Sequence, residues 1–221
     1  GMKKIAVILL MSTTFILGGC NSSKTNVRVT STVATVTRPE EAESVTENEP
    51  TSEADEEIIE QREGCTFRSS IWGDDADTVK KYETKINLEP MENGGLFGET
   101  TVSGYDAYTF YHFENEKLYE GLYLFNLNYT SGGQFITAYN SLKNSLIQKY
   151  GTPNIDTIMP NEKENLIEHA GPSKALEYGY VVYIATWKKD NTSIMLTMSS
   201  QNYKVGMVIQ YLDINYKPDV N

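Results

Sequence analysis

The chain is 221 residues long, carries 19 Lys and Arg against 30 Asp and Glu for a net charge of −11, and has a mean hydropathy of −0.42. That acidity argues against a nucleic-acid partner, whose phosphates repel it. Two cysteines are too few for a disulfide-stapled scaffold, so a folded part must rest on an apolar core.

Gly1 precedes Met2 and reads as a residue added ahead of the natural start. Lys3 and Lys4 are followed by an uncharged, mostly apolar run from Ile5 to Leu17. The run is shorter than the roughly 20 residues a membrane-crossing helix requires and has signal-peptide form. It ends in Leu17-Gly18-Gly19-Cys20, which resembles the lipobox of bacterial lipoproteins. The resemblance implies cleavage between Gly19 and Cys20, a diacylglycerol on the Cys20 sulfur, and an extracytoplasmic protein held on the cell membrane. Two or more acyl chains anchor durably because each buried methylene contributes about 0.8 kcal/mol. The expected divisions are 1–19 as leader, 20–63 as lipidated Cys20 and tether, and 64–221 as a single domain.

From Asn21 to Glu63 no aromatic residue occurs, and Ser, Thr, Val, Glu and Pro dominate. Such a composition buries too little apolar surface to offset the entropy of ordering, so a disordered stalk is expected, with a helical turn or two over Glu53 to Arg62. Its charge is segregated. Lys24, Arg28 and Arg38 stand without an acid before residue 40, whereas residues 40–63 hold eleven carboxylates against Arg62 alone. The basic part suits anionic headgroups, and the acidic part repels them and itself, pushing the domain outward by about 35 Å as a coil.

Past Cys65 the composition changes: all fifteen Tyr, both Trp and six of the seven Phe lie there. Gly73 or an adjacent Asp caps a short helix with Ala76, Val79 and Tyr82 on its apolar side, so Asp74, Asp75 and Asp77 are expected to cap it rather than to bind a cation. Strand patterns follow at 85–89, 96–103, 106–114 and 117–128, with a tight turn at Glu114 to Lys117. Phe135, Ile136, Tyr139, Leu142, Leu146, Ile147 and Tyr150 recur at helical spacing, and Gly151 with Pro153 ends that helix. Residues 154–177, with Pro160, Gly171 and Pro172, read as a long loop carrying a helical turn around Glu162 to His169. Strands at 178–188, 193–200 and 203–215 complete the chain. The expected fold is α+β: two helix-plus-antiparallel-meander units, a degenerate repeat, forming one antiparallel sheet with the helices on one face. In the second meander Val182 and Ile184 are grouped with Ile194, Leu196, Met198, Val205, Met207 and Ile209 on the core face, leaving Tyr183, Trp187, Met195, Val208 and Leu212 opposite.

The run Phe67 to Trp72-Gly73, the helix with Val79 and Glu83, the Tyr/Phe-rich meander and the helix ending Lys149-Tyr150-Gly151-Thr152-Pro153 together resemble uncharacterised lipoproteins of low-GC Gram-positive bacteria. The element order is more distantly similar to the β-lactamase-inhibitor-protein and outer-membrane-assembly lipoprotein E folds. That resemblance implies binding of other proteins without catalysis and transfers no functional residue.

No Gly-x-Ser-x-Gly elbow, phosphate loop, EF-hand or dinucleotide fingerprint occurs, and His112, His169 and Cys65 form no zinc spacing, so no catalytic residue, metal ligand or cofactor is assigned. His112 shares a strand face with Tyr108 and Phe110, where a packed histidine is the simpler reading and a general base the sharper one. Cys65 reads as a buried small hydrophobe, or alternatively as an intermolecular bridge. The Tyr excess suggests an exposed aromatic patch for a protein or glycan, with Tyr108, Tyr123, Tyr183, Trp187 and Tyr211 as candidates. The leading expectation is a non-catalytic binding module using the less covered sheet face and loop 154–177. A wall-directed hydrolase with acidic catalytic groups is the alternative, and a transporter's solute-binding component the third.

Overall fold

The structure is a computed structural model that describes residues 62–161 and 164–217, without the side chains of 164–169. The leader, Cys20, the tether up to residue 61 with all of its lead-in turn but Arg62, and the His169 side chain lie outside the described residues. Helix α1 (Ala76–Tyr82) begins where Asp75 Oδ1 accepts the Thr78 N–H at 2.8 Å, and Lys80 and Lys81 in its last turn complement the helix dipole. Asp74 instead accepts from Arg62 at 2.6 Å and 3.0 Å and from the Ile71 N–H at 2.9 Å. The acidic run is therefore spent on a cap and an anchor.

Strands β1 (Glu89–Pro90), β2 (Leu96–Val102), β3 (Tyr105–Glu114) and β4 (Lys117–Phe125) form the first meander. The β3–β4 turn places Asn115 and Glu116 at φ 49° and 62°, the left-handed pair whose twist matches a two-residue hairpin. Helix α2 (Gly132–Tyr150) buries Phe135, Ala138, Tyr139, Leu142 and Leu146 as one stripe. Gly151, at φ 84°, ends it. The second meander is β6 (Val181–Lys189), β7 (Thr192–Gln201) and β8 (Lys204–Asp213).

Residues 154–177 are not the expected loop, although the helical turn expected around Glu162 to His169 overlaps the start of a helix. They form strand β5 (Ile155–Pro160), antiparallel to β6, and helix α3 (Glu164–Glu177), whose helical geometry breaks at Gly171, φ 74°, just before Pro172. All six β5 residues are exposed, so the strand has no apolar alternation to reveal it.

The eight strands make one antiparallel sheet in the order β1-β2-β3-β4-β8-β7-β6-β5, and with three helices the fold is α+β. One core joins Val79 of α1, the α2 stripe, and Ala175 and Leu176 of α3 to alternate strand residues. These include Leu96, Tyr111, Tyr123, Ala185, Leu196 and Ile209. Each large side chain removed from water in this way contributes about 1.5–3 kcal/mol.

Register corrects one phase. Tyr183, Ala185 and Trp187 sit opposite Met198, Leu196 and Ile194, so the odd residues of β6 face the core and Val182 and Ile184 face away. Both sets are apolar, and only pairing with β7 decides between them.

Candidate functional site

The structure buries four of the five aromatic residues that the sequence nominates for a surface patch. Tyr123, Tyr183, Trp187 and Tyr211 are 8%, 6%, 2% and 6% exposed. Tyr123 and Tyr211 pack their rings 5.2 Å and 5.1 Å from Phe67, which lies flat over Gly121. Tyr183 meets Tyr139 of α2 at 5.3 Å, and the Trp187 indole N–H donates to the Gly151 carbonyl at 2.8 Å, tying the end of α2 to β6. Burial raises the pKa of the Tyr123, Tyr183 and Tyr211 hydroxyls, as expected for core phenols. Only Tyr108 stays on the other face, half-buried between Glu99 and Leu124.

That other face is the sheet's open side. Pairings carry one row from Phe97 through Phe110, Leu122, Gln210 and Met195 to Thr186. A second runs from Tyr108 through Leu124, Val208 and Thr197 to Ile184. Apart from Phe110, which its neighbours shield, these residues are half-buried. The helices' buried side chains belong to the core on the opposite face. No described helix covers these rows.

Besides Thr186 and Thr197, this mostly apolar field holds one hydrogen-bonded charged group. His112 Nδ1 lies 2.5 Å from Glu120 Oε2, and the Gln210 side-chain amide donates to Glu120 Oε1. Burial alone would raise the Glu120 carboxyl, but the hydrogen bonds from His112 and Gln210 outweigh it and hold the group below its ordinary value. A register shift between His112 and Phe113 sets this pair beside Tyr119, whose ring stacks 3.9 Å from Tyr216.

On the core side, Arg68 holds Glu83 in a bidentate pair at 2.6 Å and 3.2 Å, and the Tyr111 hydroxyl donates to the same carboxylate at 2.9 Å. Burial would raise Glu83, and these bonds more than reverse it. Among the described residues, the carboxylates whose pKa departs from the ordinary value, Asp75, Glu83, Glu120 and Glu177, all depart downward. A charged hydrogen-bond acceptor is what that environment favours, not a protonated general acid. Among the described residues no group of three or more His, Cys, Asp or Glu could hold a metal ion, and no helix is long and apolar enough to cross a membrane.

An exposed aromatic group exists elsewhere. Tyr178, which follows α3, lies 5.6 Å from Tyr180 and 5.9 Å from Tyr203 in the β7–β8 turn. Tyr203 is 78% exposed at φ 61°, a left-handed position that turn chemistry gives to Gly or Asn. A tyrosine in that place was the signal in the sequence. Cys65 is exposed, contrary to its reading as a buried hydrophobe, and its thiol donates to the Arg62 carbonyl at 3.2 Å. No protein-family model, curated protein or solved structure matches the chain.

Proposed function

We propose that this chain is a lipid-anchored, extracytoplasmic binding module, held by Cys20 and an acidic stalk, whose open sheet face engages a protein or cell-envelope ligand without catalysis. The observation that carries the reading is the two-row apolar field from β2 to β6, with no described helix over it. Half-buried apolar side chains left on one sheet face without a covering element are the kind of surface that a partner can bury. The His112–Glu120–Gln210 group gives the field a fixed polar contact. The strand order reads alike from either edge inward to β4 and β8, and this supports descent of the fold from two copies of a helix-plus-meander unit. The Glu83 and Glu120 carboxylates are each engaged by hydrogen bonds inside the fold, which favours binding over the hydrolase reading.

The test places a photo-crosslinking amino acid at Leu124 or Val208 in intact cells, with Lys149 on the opposite side as control. A discrete adduct from the two sheet positions and none from Lys149 is the expected result. Adducts from all three positions, or from none, would defeat the open-face reading. A Cys20→Ser variant should move to the soluble fraction.

A further inference from the structure

The sheet's two edges are not alike. One ends in β1, two residues long and carrying Pro90, a short and proline-blocked edge of the kind that resists further pairing. The other is β5, six residues long, exposed throughout and paired on its β6 side only among the described residues. Of the six exposed large hydrophobic residues among the described residues, three lie on this strand: Ile155, Ile158 and Met159. That concentration is unusual for a strand meeting only water.

Hydrogen-bond parity says what the edge offers. The Asn161 N–H donates to the Tyr180 carbonyl at 2.7 Å. In an antiparallel ladder, bonding alternates along the strand, so Met159 and Thr157 also face β6 while Asp156, Ile158 and Pro160 turn their backbone groups outward. Pro160 has no N–H to lose there, which is where a proline is tolerated. The free edge therefore presents complete donor and acceptor pairs at Asp156 and Ile158 only.

We propose that β5 is the contact through which two copies of this chain join edge to edge, antiparallel about a twofold axis at Thr157. In that register Asp156 of each copy bonds Ile158 of the other, so both outward N–H groups and both matching carbonyls are satisfied. The neighbouring register, centred on Ile158, opposes Asp156 to Pro160 and leaves the Asp156 carbonyl without a donor. Centring on Thr157 also sets Ile155 of one copy against Met159 of the second copy twice, on the side away from the helices, and Thr157 against its own symmetry mate. Charge does not oppose the approach, because Lys143 already neutralises Asp156 at 2.9 Å and 3.0 Å. The contact is isologous and the β1 edge is blocked, so assembly closes at a dimer instead of running on as a fibre. Six paired residues bury an area at the low end of protein interfaces, which makes the dimer reversible. This contact is independent of the open-face reading, since it uses the strand's edge and not the sheet's face.

The test is disulfide trapping in the full chain carrying Cys20→Ser and Cys65→Ser. Thr157→Cys brings two thiols together at a non-hydrogen-bonded position, within the short Cβ separation a disulfide needs, and should form covalent dimer about tenfold faster than Ile158→Cys or the distant turn variant Asp190→Cys. Adding Ile158→Pro removes one outward donor without touching the β6 pairing. It should abolish trapping at Thr157→Cys while leaving the circular dichroism and melting temperature of the monomer in place. Equal trapping at all three positions, preferred trapping at Ile158→Cys, or trapping that survives Ile158→Pro would each overturn the proposal.

Discussion

Glu83 shows how a single residue ties this fold to pH. Its side chain is 1% exposed and its partner Arg68 14% exposed, so the pair is largely removed from water. Removing one member of such a pair strands the other, which costs about 3–5 kcal/mol. Glu83→Gln should therefore destabilise the domain by about 3 kcal/mol at neutral pH, near the lower end because Arg68 keeps some solvent. The Glu83 pKa lies below the ordinary 4.5 in the folded state, first against burial and then because Arg68 and Tyr111 prevail. Its stabilisation is thus complete above 4.5 and is lost as pH falls through the lower folded value. Urea titrations between about pH 3 and pH 7 should show a steeper acid loss for the native chain than for Glu83→Gln. An equal slope in both would remove Glu83 from the acid response. The same burial explains why choosing tyrosines by residue type misled: Tyr supplies core volume and a hydroxyl together, and here the hydroxyls of Tyr111 and Tyr150 are used inside the fold.

The elements divide by whether they own an apolar pattern. Helix α2 was legible because its buried residues form one stripe with a glycine stop, and the β3–β4 hairpin because four polar residues, Glu114 to Lys117, separate two aromatic-rich strand patterns. β5 was not, since none of its six residues is buried, and α3 was legible only as a turn ahead of Gly171-Pro172, which breaks its period. For β6 the strand was legible and the phase was not, because Val182 and Ile184 are as apolar as the residues that face inward. Close approach between elements is equally silent in sequence. Phe67 crosses β4 at Gly121, where an added Cβ would lie 2.1 Å from the Phe67 ring. Gly121→Ala should therefore cost about 1–3 kcal/mol through overpacking. In a Phe67→Ala background that increment should nearly vanish, a coupling read from a double-mutant cycle in urea. Additive losses would mean that Gly121 serves something other than passage of the ring.

At the scale of the molecule, the two faces of the sheet make opposite demands on the same kind of residue. Leu196 on β7 is fully buried beneath the helices, opposite Ala185 and Ile209, whereas Leu124 on β4 is half-buried on the far side, between Tyr108 and Val208. A carboxylate placed at Leu196 has neither water nor a counter-ion and loses the packing of a full leucine, so Leu196→Asp should cost more than about 4 kcal/mol and leave the domain unfolded or nearly so. A carboxylate at Leu124 reaches solvent past its neighbours and forfeits only part of that burial, so Leu124→Asp should cost about 1 kcal/mol or less. Sheets of one-sided architecture behave this way, and sheets covered on both sides do not. The comparison is made by urea denaturation of the two variants against the native chain, with the melting temperature as a second reading. A Leu124→Asp variant as unstable as Leu196→Asp would mean that the β2-to-β6 face is packed within the monomer and is not a surface for a partner. A stable Leu124→Asp variant that also loses the photo-crosslink at Val208 joins the two observations, because the face is then dispensable for folding and required for contact.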